Sequence, residues 1–293
     1  MKRLFLAVAL FGVGGTAQAG DISITNNYGT TGLFEALGAS NIPVTSTYSH
    51  GLGNGVVSSA DDVIGVPLAF NDVGSGWFGE LVPIFGGNSL NYNNDWQLGF
   101  NYNFGGTATY DDGVFPFAPD GTLDANNDGL IDFGDALVPN YTTGVLEFFY
   151  NDLATPGNPN QGVKVLELQL VGTELQPFSP NVIFFLEVNY DWYAGGNAFV
   201  DNFFTDGDSG LSFYQLSQLS PPPVISFRLD FNVDFNRVPT CGDAVCETIS
   251  RTTDINATGI FAVPEPASLA MLGFGLLGLG FSSRRRNGRN EIS

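Results

Sequence analysis

From residue 225 to residue 235 the chain alternates without a break. Ile225, Phe227, Leu229, Phe231, Val233 and Phe235 fall on one parity; Ser226, Arg228, Asp230, Asn232 and Asp234 fall on the other. Successive side chains of an extended strand point to opposite faces, so the pattern specifies a strand with one dry face and one wet face. Trp96, Leu98, Phe100, Tyr102 and Phe104 repeat it against Gln97, Gly99, Asn101 and Asn103, and Gly105-Gly106 ends the run. One-sided strands pair and bury the apolar side, which commits the chain to antiparallel sheet over a core.

Shorter strand signals lie at residues 22–25, 63–70, 77–85, 145–150, 163–171 and 182–193, separated by turns rich in Gly, Asn and Pro. Pro67 and Pro83 lack the ladder donor and place their strands at an edge or a bulge. Residues 31–38 read as a short helix with Leu33, Phe34 and Leu37 on one face. No internal repeat is visible. The expected fold is all-β, an antiparallel β-sandwich or jelly-roll-like body over residues 20–262. That body reads as one domain; a division into two would fall in the acidic segment 110–140.

The two ends have a different grammar. Lys2 and Arg3 precede a short apolar run, and Ala17-Gln18-Ala19 offers small residues to a signal peptidase, so residues 1–19 read as a signal peptide. At the other end, Val263-Pro264-Glu265-Pro266 leads into an uncharged run, residues 267–281, followed by Arg284, Arg285, Arg286 and Arg289. An apolar run with a basic stop reads as a transmembrane helix whose arginines stay in the cytoplasm. Fifteen residues are short for a full span.

Setting these ends aside leaves four basic residues, Lys164, Arg228, Arg237 and Arg251, against twenty-eight acids, a net charge of −24. Nucleic acids are bound by basic patches, and so acidic a surface repels them. Twenty-six Phe, ten Tyr and three Trp exclude the other common fate of an acidic chain, disorder. Cys241 and Cys246 are the only cysteines, and in an exported chain they read as a short-loop disulfide. His50 is the only histidine, so no histidine-based triad can be doubled or shared.

Residues 124–135, Asp-Ala-Asn-Asn-Asp-Gly-Leu-Ile-Asp-Phe-Gly-Asp, carry the one metal-type motif. Side-chain oxygens fall at loop positions 1, 3, 5, 9 and 12, with glycine at the sharp turn of position 6. The loop resembles the calcium loops of dockerin modules, which also end in Asp. The resemblance implies Ca2+ held by Asp124, Asn126, Asp128, Asp132 and Asp135, with the Leu130 carbonyl as main-chain ligand. A dockerin carries two such loops with helices behind them, whereas this chain has one, and Pro139 limits any helix starting at Asp135. Cohesin docking is not implied.

The C-terminal order of Pro264-Glu265-Pro266, a Leu/Gly-rich run and an arginine cluster resembles the PEP-CTERM sorting signal of Gram-negative bacteria. It covers about a tenth of the chain. The resemblance implies export through the inner membrane and transient anchoring there. Recognition of Pro264, Glu265 and Pro266 by an exosortase follows, with delivery to the cell surface or the exopolysaccharide matrix. The prolines keep the motif extended and unpaired, available to a protease.

Nothing in the body reads as an active site. There is no nucleophile elbow, zinc-protease helix, phosphate loop or dinucleotide fingerprint. Asp111 and Asp112, Asp206 and Asp208, and Glu187 and Asp191 are the carboxylate pairs open to glycosidase chemistry. The aromatic and acidic stretch 197–214 is a candidate sugar-facing loop. The expected function is a non-enzymatic surface or biofilm-matrix protein. A carbohydrate-binding module or adhesin is the alternative, with a glycan-active hydrolase behind it.

Overall fold

The computed structural model describes residues 21–49, 68–83, 88–110, 137–154, 157–175, 181–233, 240–241 and 248–263, all within one compact unit, Ala19–Val263. The signal segment, residues 124–135, residues 264–293, Cys246 and His50 lie outside them, as does the side chain of Cys241.

The described strands are β1 (Ile22–Asn26), β2 (Gly29–Thr30), β3 (Phe34–Ser49), β4 (Leu68–Trp77), β5 (Glu80–Pro83), β6 (Trp96–Tyr110), β7 (Leu137–Asp152), β8 (Val163–Leu175), β9 (Asn181–Asn189), β10 (Phe204–Asp206), β11 (Ser226–Val233), β12 (Thr240–Cys241) and β13 (Thr248–Ala262). Two short helices, α1 (Ala198–Asp201) and α2 (Phe213–Ser217), lie between β9 and β11. Eight strands pair in chain order, β3-β4-β6-β7-β8-β9-β11-β13, each antiparallel to the next. β13 then returns to β3, with Thr248 opposite Ser49 and Gly259 opposite Leu37. The sheet is therefore a closed antiparallel barrel, which corrects the expected sandwich or jelly roll. Closure removes the sheet edges that a sandwich leaves open.

The alternation seen in the sequence lines the interior. Leu98, Phe100, Tyr102 and Phe104 of β6, Leu146 and Phe148 of β7, Leu168 of β8, Leu186 of β9, and Phe227 and Leu229 of β11 are buried in one core. Large rings need small neighbours. A β-carbon at Gly74 would overlap the Tyr102 ring, one at Gly144 the Phe104 ring, and one at Gly259 the Phe227 ring. The outer face carries Asn101, Glu147, Lys164, Glu167, Glu187, Arg228 and Asp230. Among the described residues no helix is long and apolar enough to cross a membrane.

Residues 31–38 hold no helix: β3 begins at Phe34. A register shift against β5 between Phe34 and Ala36 breaks the alternation, so Phe34 and Leu37 are both buried at what resembles a helical spacing.

The barrel has two unlike ends. At one, β3, β6, β8 and β11 begin and β4, β7, β9 and β13 finish. There β1, β10, α1 and α2 form a plug whose Phe203, Phe204, Phe213 and Leu216 are buried. Phe204 packs on Phe148 and Phe261, and Phe213 on Phe261, which ties the plug to the barrel wall. From the other end run the connections that contain residues 50–67, 111–136, 176–180 and 234–247.

Candidate functional site

On the outer wall, pairing registers place Glu80 of β5 beside Gly38 of β3, Gly38 beside Thr258 of β13, and Thr258 beside Asp230 of β11. Gly38 contributes no side chain to this row, so a trough of about 530 Å³ opens over it, lined by Ser40, Glu80, Asp230, Asn256 and Thr258. The Glu80 carboxylate leans across the gap: a β-carbon at position 38 would stand 3.7 Å from its Oε2. The chain shifts register between Ile255 and Ala257, and the Asn41 amide donates to Asn256 Oδ1 at 3.1 Å. That bond holds the Asn256 amide at the rim. Arg228 stands 3.8 Å from Asp230 on an exposed part of the wall, a weak ion pair. Carboxylates, hydroxyls and an amide around an open concavity suit hydrogen bonding to a polyhydroxylated ligand. Glu80 and Asp230 stand three strands apart, roughly 14 Å along the backbone at the usual strand spacing.

A second outer row has its acids already occupied. Asn101, Glu147, Glu167 and Asn189 are direct neighbours across β6, β7, β8 and β9. Glu147 and Glu167 would repel, and Lys164 Nζ donates to both, at 2.6 Å to Glu147 Oε1 and 2.5 Å to Glu167 Oε2. Asn101 and Asn189 donate to the same two carboxylates from either side. The ammonium also sits 4.5 Å from the centre of the Trp192 ring.

Inside the barrel, Asp72 is buried and accepts a hydrogen bond from the Tyr141 hydroxyl at 2.5 Å. Phe70, Phe104 and Phe184 pack around the Tyr141 ring. Burial, helped by the charge of Asp72, pushes the Tyr102 phenol well above its usual range. Both groups belong to the buried interior.

Two of the three carboxylate pairs singled out in the sequence lie among the described residues. Asp206 is buried and uses Oδ2 to accept from the Ser209 amide and hydroxyl, which fixes the turn after β10, while Asp208 is exposed. Glu187 sits on the outer face of β9 and Asp191 in the turn beyond it. Residues 197–214 do not present a sugar-stacking face: Phe203, Phe204 and Phe213 are plug residues, and Asp201 accepts from the Tyr193 hydroxyl at 2.7 Å. Asp111 and Asp112, the calcium-type ligands Asp124, Asn126, Asp128, Leu130, Asp132 and Asp135, and the sorting residues Pro264, Glu265 and Pro266 lie outside the described residues. The trough was not foreseen, because its lining comes from four strands scattered between residues 38 and 258.

Residues 262–286 match the family model described as the PEP-CTERM protein-sorting motif. Among curated proteins and solved structures nothing matches the chain. The match begins on Ala262, the last residue of β13, which pairs with Ser226 of β11, and Val263 packs against the core. The sorting segment thus follows the strand that closes the barrel with no linker between them, and the motif marks the chain as one exported and sorted by an exosortase.

Proposed function

We propose that this chain is a non-enzymatic protein of the cell surface or extracellular matrix. Its acidic barrel is the cargo and its C-terminal segment the address. The observation that carries the reading is the sorting motif at residues 262–286, attached directly to a folded barrel. The uncharged run 267–281 anchors the precursor in the inner membrane, and an exosortase reads Pro264-Glu265-Pro266 just outside it. On the barrel wall Glu147 and Glu167 are held by Lys164, Asn101 and Asn189, which supports a structural rather than a chemical role for that row. Ca2+ held by residues 124–135 would offset the charge of four carboxylates, with the Asn126 amide as a neutral ligand, and stiffen the long connection between β6 and β7. The test is Glu265→Ala in a host that possesses an exosortase. The full-length variant is expected to stay in the membrane fraction while the wild type is shortened; identical processing of the two rejects the reading.

The trough favours a second reading, a carbohydrate-binding module or adhesin. Ser40, Glu80, Asn256 and Thr258 present polar groups to solvent around one concavity. Glycan-array binding that is lost on Glu80→Ala supports it, and an array without signal removes it.

A further inference from the structure

Asn256-Ala257-Thr258 is an Asn-x-Thr sequence, the acceptor pattern for N-linked glycosylation of exported chains. Asp254 adds the acid two positions ahead that bacterial transferases also read. Asn140-Tyr141-Thr142 matches the three-residue pattern as well, but Val138 stands in the place of the acid. So short a signal counts only where the structure gives it a usable place.

Asn256 and Thr258 lie on β13, where residues two apart share a face, and both are exposed on the outer wall. The ladder to β3 shifts register between them and Ile255: Ile255 faces Ile42 and Ala257 faces Ala39, which sets Asn256 opposite two residues of β3, Ser40 and Asn41. Asn41, with φ at +54°, donates its amide to Asn256 Oδ1. The carboxamide is thus held through its oxygen, and Nδ2 has no hydrogen-bond partner among the described residues. Asn256 also lines the trough over Gly38, whose volume of about 530 Å³ falls in the range that holds small ligands. Ser40, Glu80 and Asp230 stand around the same concavity as acceptors for sugar hydroxyls. Asn140 is not part of it.

We propose that Asn256 is an N-glycosylation site, modified in the periplasm before the barrel closes, and that the trough seats the first sugar of the attached chain. The inference rests on the export reading above. In the transfer, Nδ2 of Asn256 bonds to the anomeric carbon of an oligosaccharide carried on a polyprenyl pyrophosphate. The bond from that carbon to the pyrophosphate oxygen breaks, the lipid pyrophosphate leaves, and the amide gives up one proton to a base of the transferase. This chain supplies only the acceptor; a membrane oligosaccharyltransferase supplies the catalysis. The order of events follows from the pairing. In the closed barrel β13 is laddered to β11 on one side and β3 on the other, so drawing the acceptor into a transferase would break both. The outward position then lets the strand pair without burying the polar sugar. The unmodified chain keeps the trough open to a free glycan; the modified chain does not.

The experiment expresses the full chain in a Gram-negative host that supplies a periplasmic oligosaccharyltransferase and its lipid-linked oligosaccharide. The exported protein is analysed by intact mass and by peptide fragmentation. The expected result is a mass increase of one oligosaccharide placed at Asn256, lost in Asn256→Gln and Thr258→Val and kept in Thr258→Ser, which retains the hydroxyl. Exported protein of unmodified mass, or a sugar placed at Asn140 instead, overturns the inference and leaves the export reading standing. A chain found only in the cytoplasm, at unmodified mass, overturns both.

Discussion

The Phe104 ring occupies the space that a side chain at Gly144 would need, because a β-carbon at position 144 would overlap Cδ1 of the ring. The two residues are direct cross-strand partners of β6 and β7. The ring is further held by stacking on Phe184 at 4.8 Å and on Tyr102 at 5.2 Å, so it has nowhere to move. Gly144→Ala is therefore expected to destabilise the barrel by about 2 kcal/mol, the usual cost of overpacking a filled core. Gly172→Ala is the control, because nothing lies within 4 Å of a β-carbon there, and it should be close to neutral. Urea unfolding of both variants measures the difference, and equal midpoints would show that the core accommodates the added methyl.

Lys164 is the one lysine of the exported body, and it keeps two facing glutamates apart electrostatically. Lys164→Met should cost about 2 kcal/mol at neutral pH, because it leaves half-buried carboxylates opposed and unneutralised. Adding Glu147→Gln to that variant should restore most of the loss. If the double variant is no more stable than the single one, the lysine acts through packing on Trp192 and not through charge.

Alkaline pH should unfold the barrel cooperatively. Burial raises the phenols of Tyr92, Tyr102 and Tyr190 far above their usual value, and burial with the nearby Asp152 charge raises Tyr150 to about 12. A raised phenol stays neutral in the folded chain, whereas its unfolded counterpart ionises near pH 10. Their contribution is complete below pH 10 and drains as pH rises, for Tyr150 until about pH 12. Each fully buried phenol removes about 1.4 kcal/mol per pH unit in that window. Phenolate absorbance should therefore rise in two steps, exposed tyrosines first and buried ones together with loss of circular dichroism. Complete ionisation near pH 10 in a still-folded protein contradicts this.

Much of the wall was legible in the sequence, and the closure was not. β6 and β11 announce themselves because large apolar residues fill every inward position. β13 escapes notice because Ala257 and Gly259 occupy inward positions beneath rings that belong to neighbours, Phe227 above all. Of its outward positions, Asn256 and Thr258 read as loop. The pairing that turns sheet into barrel joins residues 37–49 to residues 248–259, and no local pattern encodes a partner two hundred residues away. The aromatic stretch before β11 was misread for a related reason: Phe203, Phe204 and Phe213 look like a binding platform until the barrel end they fill is known. Pro83, by contrast, ends the edge strand β5, as a residue without a ladder donor should.

Calcium removal tests the loop at residues 124–135. A chelator should lower the wild-type melting temperature by several degrees, since an ion bound only to the folded state stabilises it by mass action. Asp124→Ala and Asp128→Ala should melt at the chelated temperature with or without Ca2+. Equal shifts in wild type and variants would assign the effect to general screening of the acidic surface.

The most direct measurement is the mass of the mature C-terminus, determined on protein recovered from the surface or medium of a host that possesses an exosortase. A chain that ends shortly after the barrel and has lost the apolar run and Arg284, Arg285, Arg286 and Arg289 is the expected result. A secreted or surface-held chain that still carries all four arginines contradicts sorting through this segment.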